Sequence, residues 1–296
     1  MRRSRRRTRS KSKWIGRLFF IVFVVLLSVA GVTEAKVIKM QRKNGNLKTQ
    51  INDIETNKKN LAEKNKKLLA NIEEKQNLYK KKMENVKIAY LTFDDGPSSN
   101  TQDILDILDK YDIKATWFVN AHKNLEYLYK KIDENGHVIA NHGYSHDYDK
   151  IYKSVDSFKE NAKKLEEFIS NITGKPMSKM IRYNGGSNNT KSHRYGGNDI
   201  MTKIIKEMDK EGYVYFDWNV DSTDASKYRQ DKDKIVSSVL NYSKRKKQAN
   251  ILMHDLNPKT TTVQALPEII EGLQKQGFIF DVLSENSYKP QFKKVK

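Results

Sequence analysis

The amino-acid sequence predicts an α/β domain built on a parallel sheet, either open or curled into an incomplete barrel, behind an N-terminal helical extension. Three observations predict it. From residue 86 onward, short β-rich runs alternate with amphipathic stretches, the order a parallel sheet requires. Polar clusters recur at the C-terminal ends of those runs, where such folds place their chemistry. The first 85 residues have a different character: a basic cluster, an apolar run, then a Lys- and Asn-rich stretch with leucines seven apart.

The extension reads as two parts, 1–35 and 36–85. Nine basic residues and no acid precede Leu18, and an apolar run follows at 18–32. Extended back to Trp14, with Arg17 snorkelling, that run makes a helix of about 28 Å, close to the roughly 30 Å of a hydrocarbon core. Residues 14–32 are therefore expected to enter the membrane, with the basic leader cytoplasmic and everything after it outside. A cleavable signal peptide ending near Thr33-Glu34-Ala35 is the alternative, and it too exports the chain. In the second part, Leu47, Ile54, Leu61 and Leu68 recur every seven residues, with Ile51 and Ile72 at the alternate seam position. Lys58 and Asn65 interrupt that seam, so the 47–79 heptads fit either a solvated single helix or a parallel homodimeric coiled coil.

Strands are expected at 86–93, 115–119, 137–141, 180–183, 213–218, 250–253 and 278–283. Helices are expected at 101–111, 125–134, 154–172, 199–211, 232–244 and 262–276. This domain spans 86–285, and a basic tail, 286–296, completes the chain.

Charge narrows the function. The net charge is +20, but residues 1–85 hold 23 of the 56 basic residues and only 7 acids, leaving 33 basic against 29 acidic beyond them. A nucleic-acid-binding domain would carry the basic surface itself, so no nucleic-acid partner is expected. With no cysteine, thiolate chemistry and disulfides are excluded, and any metal must be held by histidines and carboxylates.

Five clusters carry the chemistry. Thr92-Phe93-Asp94-Asp95-Gly96-Pro97 closes the first strand; adjacent carboxylates repel unless a cation or proton lies between them, although Asp-Gly-Pro is also ordinary turn chemistry. His142 and His146 follow the third strand, four apart, a spacing that on a helical turn presents two imidazoles to one metal. With Asp95 they would make three ligands and leave one position for water, the composition of a catalytic zinc site. His122, His137 and His193 lack such company and read as structural or surface residues. Arg182-Tyr183-Asn184-Gly185-Gly186-Ser187 and Asp217-Trp218-Asn219-Val220-Asp221-Ser222-Thr223-Asp224 come next. Last is Leu252-Met253-His254-Asp255, an apolar strand ending on a histidine, which suits a general acid held by a carboxylate.

In this order and spacing, TFDDGP, HxxxH, RxxGGS, DWNVDSTD and LMHD resemble the five motifs of the polysaccharide deacetylase family, carbohydrate esterase family 4, over about 200 residues. The resemblance implies a distorted, incomplete (β/α) barrel of about seven parallel strands and hydrolysis of N-acetyl groups on polysaccharides. It implies Asp94 as catalytic base, Arg182 as the arginine orienting it, and Asp95, His142 and His146 as ligands of one divalent metal. Zinc suits these ligands, and cobalt or manganese could replace it. His254 would be the general acid and Asp221 the carboxylate tuning it. Gly185 would donate its N–H to the oxyanion, Leu252 would line the acetyl pocket, and Trp218 would contact substrate. Gly185-Gly186 with DWNVDS resembles the peptidoglycan deacetylases, which makes cell-wall polysaccharide the expected partner. An inactive wall-binding protein on this fold and an O-acetyl esterase remain alternatives. Two departures stand out: Asn184 replaces the usual proline, expected to free the loop carrying Gly185, and Ala225 replaces a tryptophan, expected to open the groove.

Overall fold

The computed structural model describes the backbone of residues 4–83 and 86–295, and the side chains of 20–78 and 86–295. Residues 1–3 of the basic leader and the side chains of 14–19 therefore lie outside the described residues. Contacts divide the chain into two units, 1–81 and 82–296.

The first unit is one helix, α1 (Ser4–Met83). By length and composition its apolar part is able to cross a membrane. Phe20 to Val32 are exposed along it, as are the seam residues Leu47, Ile51, Ile54, Leu61, Leu68 and Ile72.

The second unit runs β1 (Lys87–Asp94), α2 (Thr101–Lys110), β2 (Thr116–Val119), α3 (Glu126–Glu134), β3 (Val138–Asn141), α4 (Tyr148–Ile151), α5 (Val155–Thr173), β4 (Met180–Ile181), α6 (His193–Gly196), α7 (Ile200–Lys210), β5 (Val214–Tyr215), β6 (Val220–Asp221), α8 (Lys232–Ser243), β7 (Gln248–His254), α9 (Thr260–Lys275) and β8 (Phe278–Phe280). All pairings are parallel, in the order β5-β4-β3-β2-β1-β7-β6, with β8 also on β1. Among the described residues β5 and β6 are not hydrogen-bonded to each other, so the barrel is curled but incomplete.

The helices follow their apolar spacing. In α2, Thr101, Ile104, Leu105 and Leu108 are buried, the i, i+3, i+4, i+7 stripe. The α5 helix starts where the Ser154 side chain accepts from Ser157 N–H and stops at Gly174, whose φ of 71° ends the turn in the left-handed region. Strand alternation then sorts the two faces of the sheet. Ala89, Leu91 and Phe93 of β1 join the helix-facing core with Ile104, Leu266 and Ile269. Ile88 and Tyr90 face the other way, into the curl, with Phe118, Ala140, Met180, Phe216 and Leu283. Thr92 and Asp94 continue that inner row.

The expected strand at 213–218 divides in two. The Phe216 and Asp217 carbonyls accept from the Arg182 Nε and NH2 groups, at 3.1 and 3.3 Å, so they are lost to a ladder, and pairing resumes only at β6 beside β7. The 286–296 segment is no free tail either. Pro290 O accepts from Asp217 N–H, Tyr215 OH donates to Lys293 O, and Phe292 packs edge-on against Trp218.

Asp255 ties β7 to the rest. As the residue after His254 it points to the opposite face, where its carboxylate accepts from Ser98 Oγ and Thr101 Oγ1 at 2.6 Å and from Trp117 Nε1 at 3.2 Å. A Cβ at position 96 would lie 2.5 Å from its Oδ2, which accounts for glycine in TFDDGP. Asp255→Ala strands three buried donors, and we expect a loss of more than about 3 kcal/mol of stability in urea unfolding. A loss below 1 kcal/mol, on the order of a surface change, would contradict this account.

Candidate active site

The register delivers the polar clusters to one place. Asp94 is level with His254 on β7 and Phe118 on β2, and Asn141 is level with Ile181. His142 and Arg182 therefore leave adjacent strands side by side, beside the end of β1.

Arg182 is fully buried. Its NH1 donates to Asp94 Oδ1 at 2.7 Å and Thr92 Oγ1 at 2.8 Å, and its NH2 donates to Asn250 Oδ1 at 2.9 Å as well as to Asp217 O. With Nε on Phe216 O, all five guanidinium N–H groups have acceptors. The guanidinium also stacks on Phe118, 4.1 Å from the ring centroid. Only one Asp94 oxygen is engaged by Arg182; the other, Oδ2, lies 3.9 Å from His142 Nε2. The Arg182 carbonyl lies 2.8 Å from His142 Nδ1. A proton at Nδ1 satisfies that contact and leaves the Nε2 lone pair facing the carboxylates.

Asp95 turns the chain through φ 71°. Its Oδ1 is buried, has no hydrogen-bond partner among the described residues, and lies 3.4 Å from His142 Nε2 and 3.6 Å from His146 Nε2. The three potential ligand atoms are within 4.8 Å of one another. An orphaned carboxylate oxygen facing two imidazole nitrogens fits a divalent cation. The segment bearing both histidines is not the expected helical turn. Gly143 takes φ 88°, its N–H donates to Asn141 Oδ1, and Ser145 N–H donates to Asn161 Oδ1, so a pinned loop brings the two rings to 5.6 Å. A cleft of about 620 Å³ opens beside Asp95 and His146, lined also by His122, Tyr144 and Leu256. His122 thus borders the site, its Nε2 2.9 Å from Asp95 O. His137 is structural: its Nδ1 accepts from Ala115 N–H, and burial pushes its pKa down to about 4.

The partner of His254 is Asp224, not Asp221. Asp224 Oδ1 is 2.8 Å from His254 Nδ1, while Oδ2 accepts from His254 N–H at 2.8 Å and Thr262 Oγ1 at 3.0 Å. Asp221 Oδ1 instead accepts from Thr223 N–H at 2.7 Å. Thr223, a β-branched residue, stands at φ 62°, a conformation that costs about 1–3 kcal/mol and persists only where neighbours enforce it. Besides Asp221, Gln230 Nε2 donates to Thr223 O at 3.3 Å. Lys259, buried in the next turn, directs its ammonium at three carbonyls of the same loop: Asp224 at 2.9 Å, Lys227 at 2.8 Å and Tyr228 at 3.2 Å. Burial works to lower the His254 pKa, but the charge and hydrogen bond of Asp224, with Asp94 and Asp95 adding, push it up to about 9. Burial likewise works to raise the Asp224 pKa, and His254 holds it below the ordinary value.

Of the remaining candidates, Gly185 takes φ 76° beside Tyr148, and a Cβ there would lie 2.4 Å from the Tyr148 hydroxyl. Asn184 does not free this loop. Its Nδ2 donates to His142 O at 3.0 Å and its carbonyl accepts from Tyr152 OH at 2.9 Å. Leu252 is buried on β7, level with Thr92 on the inner face between Asn250 and His254. Trp218 packs against Phe292, 4.9 Å between centroids. Asp217 anchors this wall: it accepts from Ser187 N–H and Oγ and from Phe292 N–H. Ala225 is exposed. Asp224 and Asp217 both stood in the quoted motif without a role assigned; Lys259 carried no signal.

The corrected pairing can be read directly by NMR titration of the His254 imidazole. Below its raised pKa the imidazolium is retained, so protonation should persist through pH 8. In Asp224→Asn the group opposing burial is gone, and the midpoint should fall by at least about one pH unit. In Asp221→Asn it should stay within about half a unit. The reverse ranking would restore Asp221 as the partner.

The profile of the polysaccharide deacetylase family matches residues 81–213. The chain is 34% identical over 210 residues to a peptidoglycan-N-acetylglucosamine deacetylase of Bacillus cereus, an alignment covering 69% of this chain and 72% of the relative. A peptidoglycan-N-acetylmuramic acid deacetylase of Bacillus subtilis is 26% identical, covering 70% and 74%. Among solved structures, the catalytic domain of peptidoglycan N-acetylglucosamine deacetylase from Eubacterium rectale superposes with a TM-score of 0.67 at 36% identity, covering 70% of this chain and 93% of that one. The curled parallel barrel, the clustered motifs and these likenesses agree: the chain belongs to the polysaccharide deacetylase family.

Proposed function

We propose that the chain hydrolyses N-acetyl groups on the amino sugars of cell-wall polysaccharide, with peptidoglycan N-acetylglucosamine as substrate, and releases acetate. The observation that carries this reading is the orphaned Asp95 Oδ1 facing His142 and His146, beside a second carboxylate that Arg182 holds by one oxygen. The N-acetylglucosamine deacetylases among the relatives favour that sugar.

Asp95, His142 and His146 would hold a divalent metal, zinc by their donors, which would supply Lewis acidity to the acetyl carbonyl and to water at the site. Asp94, positioned by Arg182, takes the proton of the attacking water on its free Oδ2. Gly185 N–H donates to the carbonyl oxygen as negative charge develops on it. Leu252 borders the acetyl methyl, and Trp218 with Phe292 walls the groove. His254, kept an imidazolium by Asp224, gives its proton to the departing nitrogen; the C–N bond breaks, leaving a free amine and acetate.

Chelator-stripped protein should lose deacetylation of purified peptidoglycan, read by mass spectrometry, and recover it with zinc. Asp95→Asn, His142→Ala and His146→Ala should lose bound metal. Asp94→Asn should keep the metal yet fall by at least about a hundredfold in rate. Full activity without metal would refute the reading; activity confined to O-acetylated wall would make the chain an esterase, and binding without turnover a wall-binding protein.

We further propose that residues 14–32 anchor the chain, with the leader cytoplasmic and α1 carrying the hydrolase outward as a spacer whose 47–79 heptads pair two copies. The helix continues from residue 33 to Met83, about 76 Å at 1.5 Å per residue. The protein should stay with membranes through a high-salt wash, and its hydrolase unit should be cut by protease added to wall-stripped cells. A soluble form beginning near Lys36 would establish cleavage instead.

A further inference from the structure

Tyr148 opens α4 two residues after His146. Its ring lies between the His146 imidazole, 5.5 Å between centroids, and Tyr152, 5.2 Å away. Its hydroxyl rests against Gly185, occupying the space that a Cβ at that position would need.

What matters is that this hydroxyl is open beside the site, against Gly185 and next to His146. Buried Tyr183 and half-buried Tyr144 also lack a hydroxyl bond among the described residues, but Tyr129 ends on Asn120 O, Tyr152 on Asn184 O, Tyr213 on Glu166 and Tyr215 on Lys293 O. That is the ordinary fate of a phenol taken out of water. Among the described residues, the Tyr148 hydroxyl bonds to no group, although it is half-buried. The backbone N–H of Gly185 is likewise unpaired, while Gly186 N–H next to it donates to Tyr183 O. Two neighbouring donors are thus left open beside His146 and the orphaned Asp95 Oδ1.

Unsatisfied donors that converge next to a carboxylate–imidazole cluster call for an oxygen acceptor that arrives with the substrate. The packing of Tyr148 against His146 and Tyr152 fixes the ring, so the donor is preorganised. Resting on the hydrolase reading above, we propose that Tyr148 is a catalytic residue whose hydroxyl donates, together with Gly185 N–H, to the acetyl oxygen as it becomes an oxyanion. The site then has two protein donors for that oxygen, one from the main chain and one from a side chain. The hydroxyl keeps its proton throughout; it stabilises charge and transfers nothing.

Tyr148→Phe tests this cleanly, because the removed oxygen bonds to no group among the described residues and the ring packing survives. In the full-length zinc-loaded chain, kcat on N-acetylglucosamine oligomers should fall at least tenfold, toward the roughly hundredfold loss typical of one missing oxyanion donor. KM, zinc content and melting temperature should stay at wild-type values. Affinity for a tetrahedral anionic mimic, glucosamine bearing an N-methylphosphonyl group in place of acetyl, should weaken by a similar factor. Retention of kcat within twofold would overturn the proposal, as would a rise in KM alone, which would make the hydroxyl a sugar contact. Failure of the hydrolase reading is seen separately, as a wild-type chain that releases no acetate.

Discussion

The site depends on one buried guanidinium. A fully buried arginine is tolerable only if its charge is opposed and every N–H is satisfied, since the desolvation cost is several kcal/mol. Arg182 meets both conditions by drawing on four separate parts of the fold: Thr92 and Asp94 of β1, the carbonyls of Phe216 and Asp217 after β5, Asn250 of β7 and the Phe118 ring of β2. Its own carbonyl faces His142 Nδ1. A single residue thereby fixes the free oxygen of Asp94 through its side chain and the tautomer of His142 through its main chain. The same bonds explain why the strand after α7 breaks at Phe216.

Much of this was legible in the sequence. The alternation of β-rich and amphipathic runs located most of the elements, because period-2 and period-3.6 patterns report which face is buried. The motifs carried the cluster because each one ends a strand. What failed were the places where a single backbone angle decides direction. DWNVDSTD offers Asp221 and Asp224 three residues apart, and nothing in the pattern says which one returns to His254. The choice is made by Thr223 at φ 62°, a conformation a β-branched residue seldom adopts. HxxxH was misread in the same way: spacing of four fits a helix, but Gly143 between the histidines takes φ 88° and makes a loop.

Loops of this kind need to be held, and the residues holding them are the ones least visible in sequence. Lys259 reads as one more surface lysine in a lysine-rich chain, yet its ammonium satisfies three carbonyls and braces the strained turn behind Asp224. Asn184 reads as the loss of a stiff proline, yet its amide on His142 O restores by hydrogen bonding the restraint that a ring would supply covalently. Asp217 reads as part of a motif, and it recruits the C-terminal segment through Phe292 N–H. In each case the partner is remote in sequence, so composition and period carry no trace of it.

The two adjacent aspartates show how neighbouring residues acquire different chemistry. Asp94 is the last residue of β1 and keeps the strand's alternation, which points it inward to Arg182. Asp95 leaves the strand at φ 71°, so instead of facing the helices it swings back toward the same imidazole. His142 Nε2 consequently has Asp95 Oδ1 at 3.4 Å and Asp94 Oδ2 at 3.9 Å. One carboxylate already has a cation on its other oxygen; the other has a buried oxygen with nothing on it. A metal placed among Asp95, His142 and His146 answers the second deficit without competing for the first. Under the proposed reading, that asymmetry is what separates a ligand from a base: Asp94 offers a free Oδ2 while Arg182 holds its Oδ1, and Asp95 offers its orphaned Oδ1 to the metal.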